Sequence, residues 1–302
     1  MRVLLSGSTG FIGSAVGAAL RARGDEVVPL VRSAARPGEA LVDLEAGAID
    51  AVRAAGGSLE GIDAAIHLAG APIIGRWTAR RREAIRVSRI AVGNLLARTL
   101  AALTTPPTVL VSGSAIGYYG DGGEVELDEA SASGAGFLPE VCRAWEASTA
   151  PAREAGIRTA LIRTGIVLGP GGGALAPQLR LFRLGLGGRL GSGRQWMSVI
   201  SLADEVRVIL RAIDDGFSGP INATSPTPLR NREFTATLAR AVGRPAPLAV
   251  PAAALRLALG AGPANEMLLA SQRVLPRRLL ELGFEFEHPD AAAAIAWAVG
   301  GS

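Results

Sequence analysis

The chain has 302 residues, of which 49% are hydrophobic, and a formal net charge of +4. That length and apolar content can bury a large core in one large or two unequal domains, while Arg256 and Pro263 cut the Leu/Ala stretch around Leu255 well short of the roughly 18 residues of a membrane span. All 31 basic residues are arginine, the single cysteine excludes an intramolecular disulfide, and two histidines leave little for a transition-metal site, so no metal is expected.

Val3, Leu4 and Leu5 read as a strand that breaks into Ser6-Gly7-Ser8-Thr9-Gly10-Phe11-Ile12-Gly13 and then an Ala/Leu/Arg-rich helix ending near Arg23-Gly24. This is the strand, glycine turn and helix start of a dinucleotide site. Gly7 permits the tight turn, Gly10 lets backbone approach a pyrophosphate, and Gly13 lets the helix pack closely. Phosphates then meet free N–H groups at the helix N-terminus, with Thr9, Phe11 and Ile12 in the cradle. Glu26 to Val31 is the second strand, with Arg32-Ser33 at its carboxyl end. An acid there would bind the 2′-hydroxyl of NAD, whereas an arginine pairs with the 2′-phosphate of NADP, so NADP(H) is expected over NAD(H).

Asp63 to Gly70 gives a buried strand ending in Leu68, Ala69 and Gly70, where backbone can lie along the cofactor. His67 inside it reads as a hydrogen-bonded core residue. Thr78 to Leu103 predicts one long helix carrying Arg80, Arg81, Arg82, Arg86 and Arg89, read as a solvated face rather than a nucleic-acid surface, with Arg89 also a candidate cofactor contact. Thr108 to Ser112 predicts a further apolar strand, running into Gly113-Ser114 and the pair Tyr118-Tyr119; a helix over 137–155 and a strand over 159–163 follow. Strands alternating with helices predict an α/β protein, a Rossmann-type doubly wound parallel sheet whose ligands sit beyond the strands' carboxyl ends. Ser112, Arg163, Thr164 and Gly165, at such ends, join the expected cofactor contacts.

From Gly169 to Trp196 the texture is glycine-rich, as in binding loops. We therefore expect a cofactor domain over 1–167, with 197–225 returning to it, a substrate loop over 168–196, and a smaller, mostly helical substrate subdomain over 226–302.

Together these residues resemble the extended short-chain dehydrogenase/reductase superfamily, through Gly7 to Gly13, His67 to Gly70, Ser112-Gly113-Ser114 and Tyr119-Gly120. A closer likeness is to its "epimerase family" subgroup, carried by Ser114 to Asp121, Trp145-Glu146, Arg163 to Gly169, the run 182–196, and Gln272 to Phe284. The resemblance implies a small-molecule substrate of carbonyl, alcohol or sugar-nucleotide type and a homodimer among its assemblies; the residues themselves, with no span-length apolar run and no recognised nucleic-acid motif, lead us to expect a cytoplasmic location and no membrane or nucleic-acid partner.

Catalysis departs from the superfamily. Its reductases and epimerases use a Tyr-x-x-x-Lys pair, the ammonium lowering the phenol's pKa. This chain has no lysine, and Val141 stands about where the tyrosine would fall. Ser114 is the candidate to polarise a substrate carbonyl, and Tyr118 or Tyr119 the candidate proton donor if an arginine lies close; the bland reading of the pair is loop aromatics packed over the cofactor. Arg143 is the candidate replacement for the lysine, and Cys142 reads as a small buried residue. The expected function is hydride transfer with NADP(H), or else a catalytically silent, NADPH-binding regulatory protein.

Overall fold

A computed structural model of the chain describes residues 1–32, 37–50 and 58–301. Ser33 lies outside the described residues.

Among the described residues, eight strands form one sheet: β1 (Arg2–Ser6), β2 (Glu26–Val31), β3 (Ala40–Asp43), β4 (Ala48–Asp50), β5 (Ala64–His67), β6 (Val109–Ala115), β7 (Arg158–Thr164) and β8 (Gly219–Ala223). Their order is β8-β7-β6-β5-β1-β2-β3-β4, parallel except for β3 with β4. The order reverses between β1 and β5, the switch point at which such sheets bind ligands. The apolar runs of β1, β5 and β6 lack alternation because both faces are covered. One face packs α1 (Phe11–Ala22) and α7 (Leu202–Asp214) around Val3, Leu5, Val111 and Ile162; the other packs α3 (Val92–Ala101) around Leu4, Ala65 and Leu110.

The long helix expected over 78–103 is interrupted. α2 (Ala79–Arg86) leads into a π-turn at Val87–Ala91 before α3, and this wider turn points Arg89 inward. Arg82 lies 5.0 Å from the Phe137 ring and Arg86 pairs with Glu140, so the basic stretch is partly packed rather than wholly solvated. The helix expected over 137–155 also divides, into α4 (Phe137–Ala147) and α5 (Ala150–Glu154). Pro151 brings no N–H and would clash with the preceding turn, so α4 stops; Ser148 and Thr149 return their hydroxyls to Trp145 O and Glu146 O.

Within 168–196, expected as a loop, Leu175–Arg183 forms a helix (α6) that buries Leu175, Leu179 and Phe182. These join Phe234 and Leu238 of α8 (Asn231–Ala241) and Ala294 and Ile295 of the helix Ala291–Gly300 in a separate core. Phe284 to Phe286, where the sequence alternates, is not a strand; the two rings meet edge to face at 4.8 Å. No described helix is long and apolar enough to cross a membrane.

Candidate active site

Two clusters meet at the carboxyl edge of the sheet. The first is the turn between β1 and α1. Gly7 has φ +75°, and a Cβ there would lie 2.7 Å from the Leu68 carbonyl carbon. A Cβ on Gly13 would stand 2.1 Å from Gly7 O, so these two positions admit only glycine. Gly10, at the helix N-cap, contributes no side-chain cap. The N–H groups of Phe11, Ile12 and Gly13 therefore remain for an anion, with exposed Thr9 on the rim. Phe11 holds the turn from the far side: a Cβ on Gly172 or Gly173 would come within 2.4 or 2.6 Å of its ring.

Beside this cradle Ser6 Oγ accepts from the amides of Leu68 and Ala69 and lies 2.8 Å from His67 Nδ1. Both Ser6 lone pairs being engaged, its proton goes to Nδ1, and Nε2–H donates to Arg89 O at 3.3 Å. Burial pushes the His67 pKa down to about 4, so the ring is neutral and structural. Gly70 is exposed; a Cβ there would meet the Arg89 guanidinium at 2.8 Å. Half-buried Arg89 donates to Ala71 O and faces the Trp145 ring at 5.2 Å, with no carboxylate partner among the described residues. Arg32 is exposed at the end of β2, also without an ionic partner among them.

The second cluster is a buried polar row set by strand register. Ser114, Arg163 and Asn222 are neighbours across β6, β7 and β8. Ser114 and Arg163 face α4, where Arg163 grips Glu146 with two bonds of 2.8 and 2.9 Å and Ser114 Oγ donates to Glu146 Oε1 at 2.7 Å. Arg163 also donates to the Tyr119 hydroxyl (2.9 Å), which donates to Asn222 Oδ1 (2.7 Å). Burial opposes the charge on Arg163, but Glu146 outweighs it and the pKa rises. For Tyr119 burial prevails over the arginine, and its pKa is pushed up to about 12. Half-buried Tyr118 differs: its ring lies on the Arg163 guanidinium at 3.5 Å and its hydroxyl has no partner among the described residues.

The pattern of the NAD dependent epimerase/dehydratase family matches residues 3–224, and a domain of unknown function, DUF1731, matches 250–298. The chain belongs to the NAD dependent epimerase/dehydratase family. It is 42% identical to the epimerase family protein Mb2239 of Mycobacterium bovis, covering 98% of this chain and 97% of that one. The human epimerase family protein SDR39U1 is 35% identical, over 98% of each chain. A crystal structure of human SDR39U1 with NADPH superposes with a TM-score of 0.90 at 33% identity, over 99% of each chain. MoeE5 in complex with UDP-glucose and NAD, at 20% identity and a TM-score of 0.78, shares the fold.

Within this member of the family, the remaining candidates are scattered. Arg143 lies on the exposed side of α4 and donates to Ser133 Oγ and Gly134 O, away from the row. Ser112 is fully buried and returns its hydroxyl to Gly113 O. Val141 is buried against Phe137 and Leu138, four residues before Trp145. Burial pushes the Cys142 thiol up to about 12, leaving it inert. Gly165 donates to Ala223 O, and a Cβ on it would stand 2.8 Å from Ser198 O.

Thr164 alternates to the opposite face from Arg163 and donates at 2.7 Å to Glu205, a residue that sequence reasoning missed. Glu205 is fully buried on α7, Oε2 has no partner among the described residues, and burial raises its pKa to about 8 despite the threonine bond. The signal was present. Glu205 shares the helical stripe of Leu202, Ile209 and Ala212, a place where a carboxyl is anomalous.

Proposed function

We propose that this chain binds NADPH in preference to NADH and transfers hydride to or from a carbonyl or alcohol carbon of a small molecule, a sugar nucleotide being one such substrate. The observation carrying the reading is the cradle: Gly7 and Gly13 admit no Cβ, and the uncapped α1 N-terminus shares its sheet edge with two arginines, Arg32 after β2 and Arg89 beside Gly70, that lack carboxylate partners among the described residues. Arg32 takes the 2′-phosphate and Arg89 a ribose or phosphate oxygen beside Gly70. When bound, the cofactor would donate the hydride to a carbonyl carbon or accept it from an alcohol carbon.

Tyr118 is the proton donor in this reading. It is the phenol left free, whereas Tyr119 is committed to Asn222 and holds its proton tightly. Arg163 fixes the Tyr118 ring from beneath. Ser114 gives its one proton to Glu146 and can therefore only accept, so in this reading it would orient a substrate hydroxyl and not, as expected from the sequence, polarise a carbonyl.

Two measurements test this. Replacing Arg32 with alanine is expected to weaken NADPH binding about tenfold to thirtyfold and NADH binding by less than twofold, consistent with a charge-assisted contact of ~1.5–2 kcal/mol; equal losses sink the assignment. NADPH absorbance is then followed with sugar nucleotides, aldehydes, ketones and quinones. Turnover that falls at least a hundredfold in Tyr118→Phe, with NADPH affinity kept, supports the acid. Binding without turnover throughout the panel favours the cofactor-occupied regulator, a reading supported by the internal engagement of both Ser114 and Tyr119.

A further inference from the structure

We infer that a second ligand site runs along α8, a basic groove that takes a phosphorylated small molecule of nucleotide size. The cavity measures about 610 Å³, within the range that holds such ligands. Arg232, Ala236, Ala239 and Gly243 recur every three to four residues, with Arg240 beside Ala239, and so share one face of the helix and its end. Arg189, from the short strand Gly188–Leu190, and the turn containing Arg244, Pro245 and Pro247 form the opposite wall. None of the residues of the glycine turn or of the polar row lines this cavity.

Its chemistry is one-sided. Four arginines, Arg189, Arg232, Arg240 and Arg244, line the groove, and no acidic residue does among the described residues. The nearest carboxylate contact is Glu233, a loose 3.9 Å from Arg232 Nε. Arg189 and Arg240 each engage one neutral oxygen, Gly191 O and Thr237 Oγ1. Four guanidinium groups with a single loosely paired carboxylate carry an excess of positive charge, and an anion among them is attracted by it. The planar fork of arginine also matches phosphate oxygens better than an ammonium does. Ala236, Ala239, Pro247 and Leu248 give the floor an apolar surface on which a base can lie.

The groove is built rather than incidental. Gly193, at φ +69°, turns the chain where a Cβ would lie 3.2 Å from both Arg189 Cδ and Arg232 Cβ, so the turn brings these two arginines to the same place. Asn231 Oδ1 accepts from Leu190 N at 2.8 Å, and Arg232 N donates to Gly193 O at 2.9 Å, fixing the wall strand to the start of α8. Gly188–Leu190 pairs with Leu248–Val250, which sets the far rim.

Calorimetric titration of the full chain, presaturated with NADPH to fill the dinucleotide cleft, tests the site with inorganic pyrophosphate and ADP as probes. We expect one saturable site per chain, with ADP binding at least threefold more tightly than pyrophosphate. The double variant Arg240→Ala/Arg244→Ala should weaken both probes at least tenfold while NADPH affinity and the melting temperature stay unchanged. Ala236→Glu, which places a carboxylate on the floor, should abolish binding. Absence of saturable heat overturns the site, as does equal binding by wild type and both variants; equal affinity for the two probes overturns the nucleotide-sized ligand. Should NADPH itself fail to bind, the contrast between wild type and variants is read on the chain alone, so the two readings fail separately.

Discussion

Glu146 and Glu205 are both buried carboxyl groups at the carboxyl edge of one sheet, on opposite faces, and their neighbours give them opposite characters. Glu146, facing α4, receives two bonds from Arg163 and one from Ser114. Glu205, facing β7 from α7, receives one from Thr164, and its Oε2 has no partner among the described residues. An ion pair with further hydrogen bonds can keep a charge in a low-dielectric interior, and a lone hydroxyl cannot. The α4 side is therefore a fixed charged lattice, and the α7 side holds a neutral acid near physiological pH. Residue type does not decide which; the strand register that supplies or withholds an arginine does.

The largest expected effect comes from removing that arginine. Arg163→Met leaves Glu146 with only the Ser114 bond and should cost about 3–5 kcal/mol in urea denaturation. The double variant Arg163→Met/Glu146→Leu should recover much of this, because no buried charge remains. A single-variant loss under about 1 kcal/mol would break the contrast, since Glu146 would then tolerate isolation as Glu205 does.

Glu205→Gln gives the next effect, and its sign differs. The folded-state pKa of about 8 exceeds the unfolded value of 4.5, so between these values the native chain keeps a proton that the unfolded chain has released. Stability from this group is thus full below pH 4.5 and is lost as pH rises to 8. Relative to Glu205→Gln, wild type should lose about 2 kcal/mol between pH 6 and 8, read from urea midpoints. His67 works in the other direction: its folded pKa of about 4 lies below the ordinary 6.5, so its contribution is lost as pH falls from 6.5 toward 4. A flat difference between wild type and the glutamine variant would place a cation near Glu205.

How much of this was legible in the sequence depended on range. Gly7 and Gly13 were, because the strand, its turn and its helix all lie between Arg2 and Ala22 and each glycine answers a local steric demand. The central strands were too, since a strand covered on both faces reads as an apolar run. β3 and β4, of four and three residues, carry too little pattern to be seen. α6 was hidden by the flanking glycines, although Leu175, Leu179 and Phe182 already had helical spacing. The polar row was out of reach for another reason. Arg163 was placed among the cofactor contacts from its position at a strand end, but its bonds to Glu146 and to Tyr119 arise only when separate segments are brought into register. That register also separates Tyr118 from Tyr119, two residues the sequence leaves equivalent.

This pair provides the smallest and sharpest test. Tyr119 is 3% exposed and bridges Arg163 to Asn222, so Tyr119→Phe removes an acceptor from a buried cation and a donor from a buried amide oxygen. A loss of about 1–2 kcal/mol is expected. Tyr118→Phe keeps the ring over Arg163 and removes a hydroxyl with no partner among the described residues, so its cost should stay within about 0.5 kcal/mol. If the two variants melt alike, Tyr118 has a partner inside the fold, and its hydroxyl is no freer to meet a substrate than that of Tyr119. If only Tyr119→Phe destabilises, adjacent phenols have been divided between the lattice and the cleft, one fastened by the arginine's N–H and the other resting on the face of the same cation.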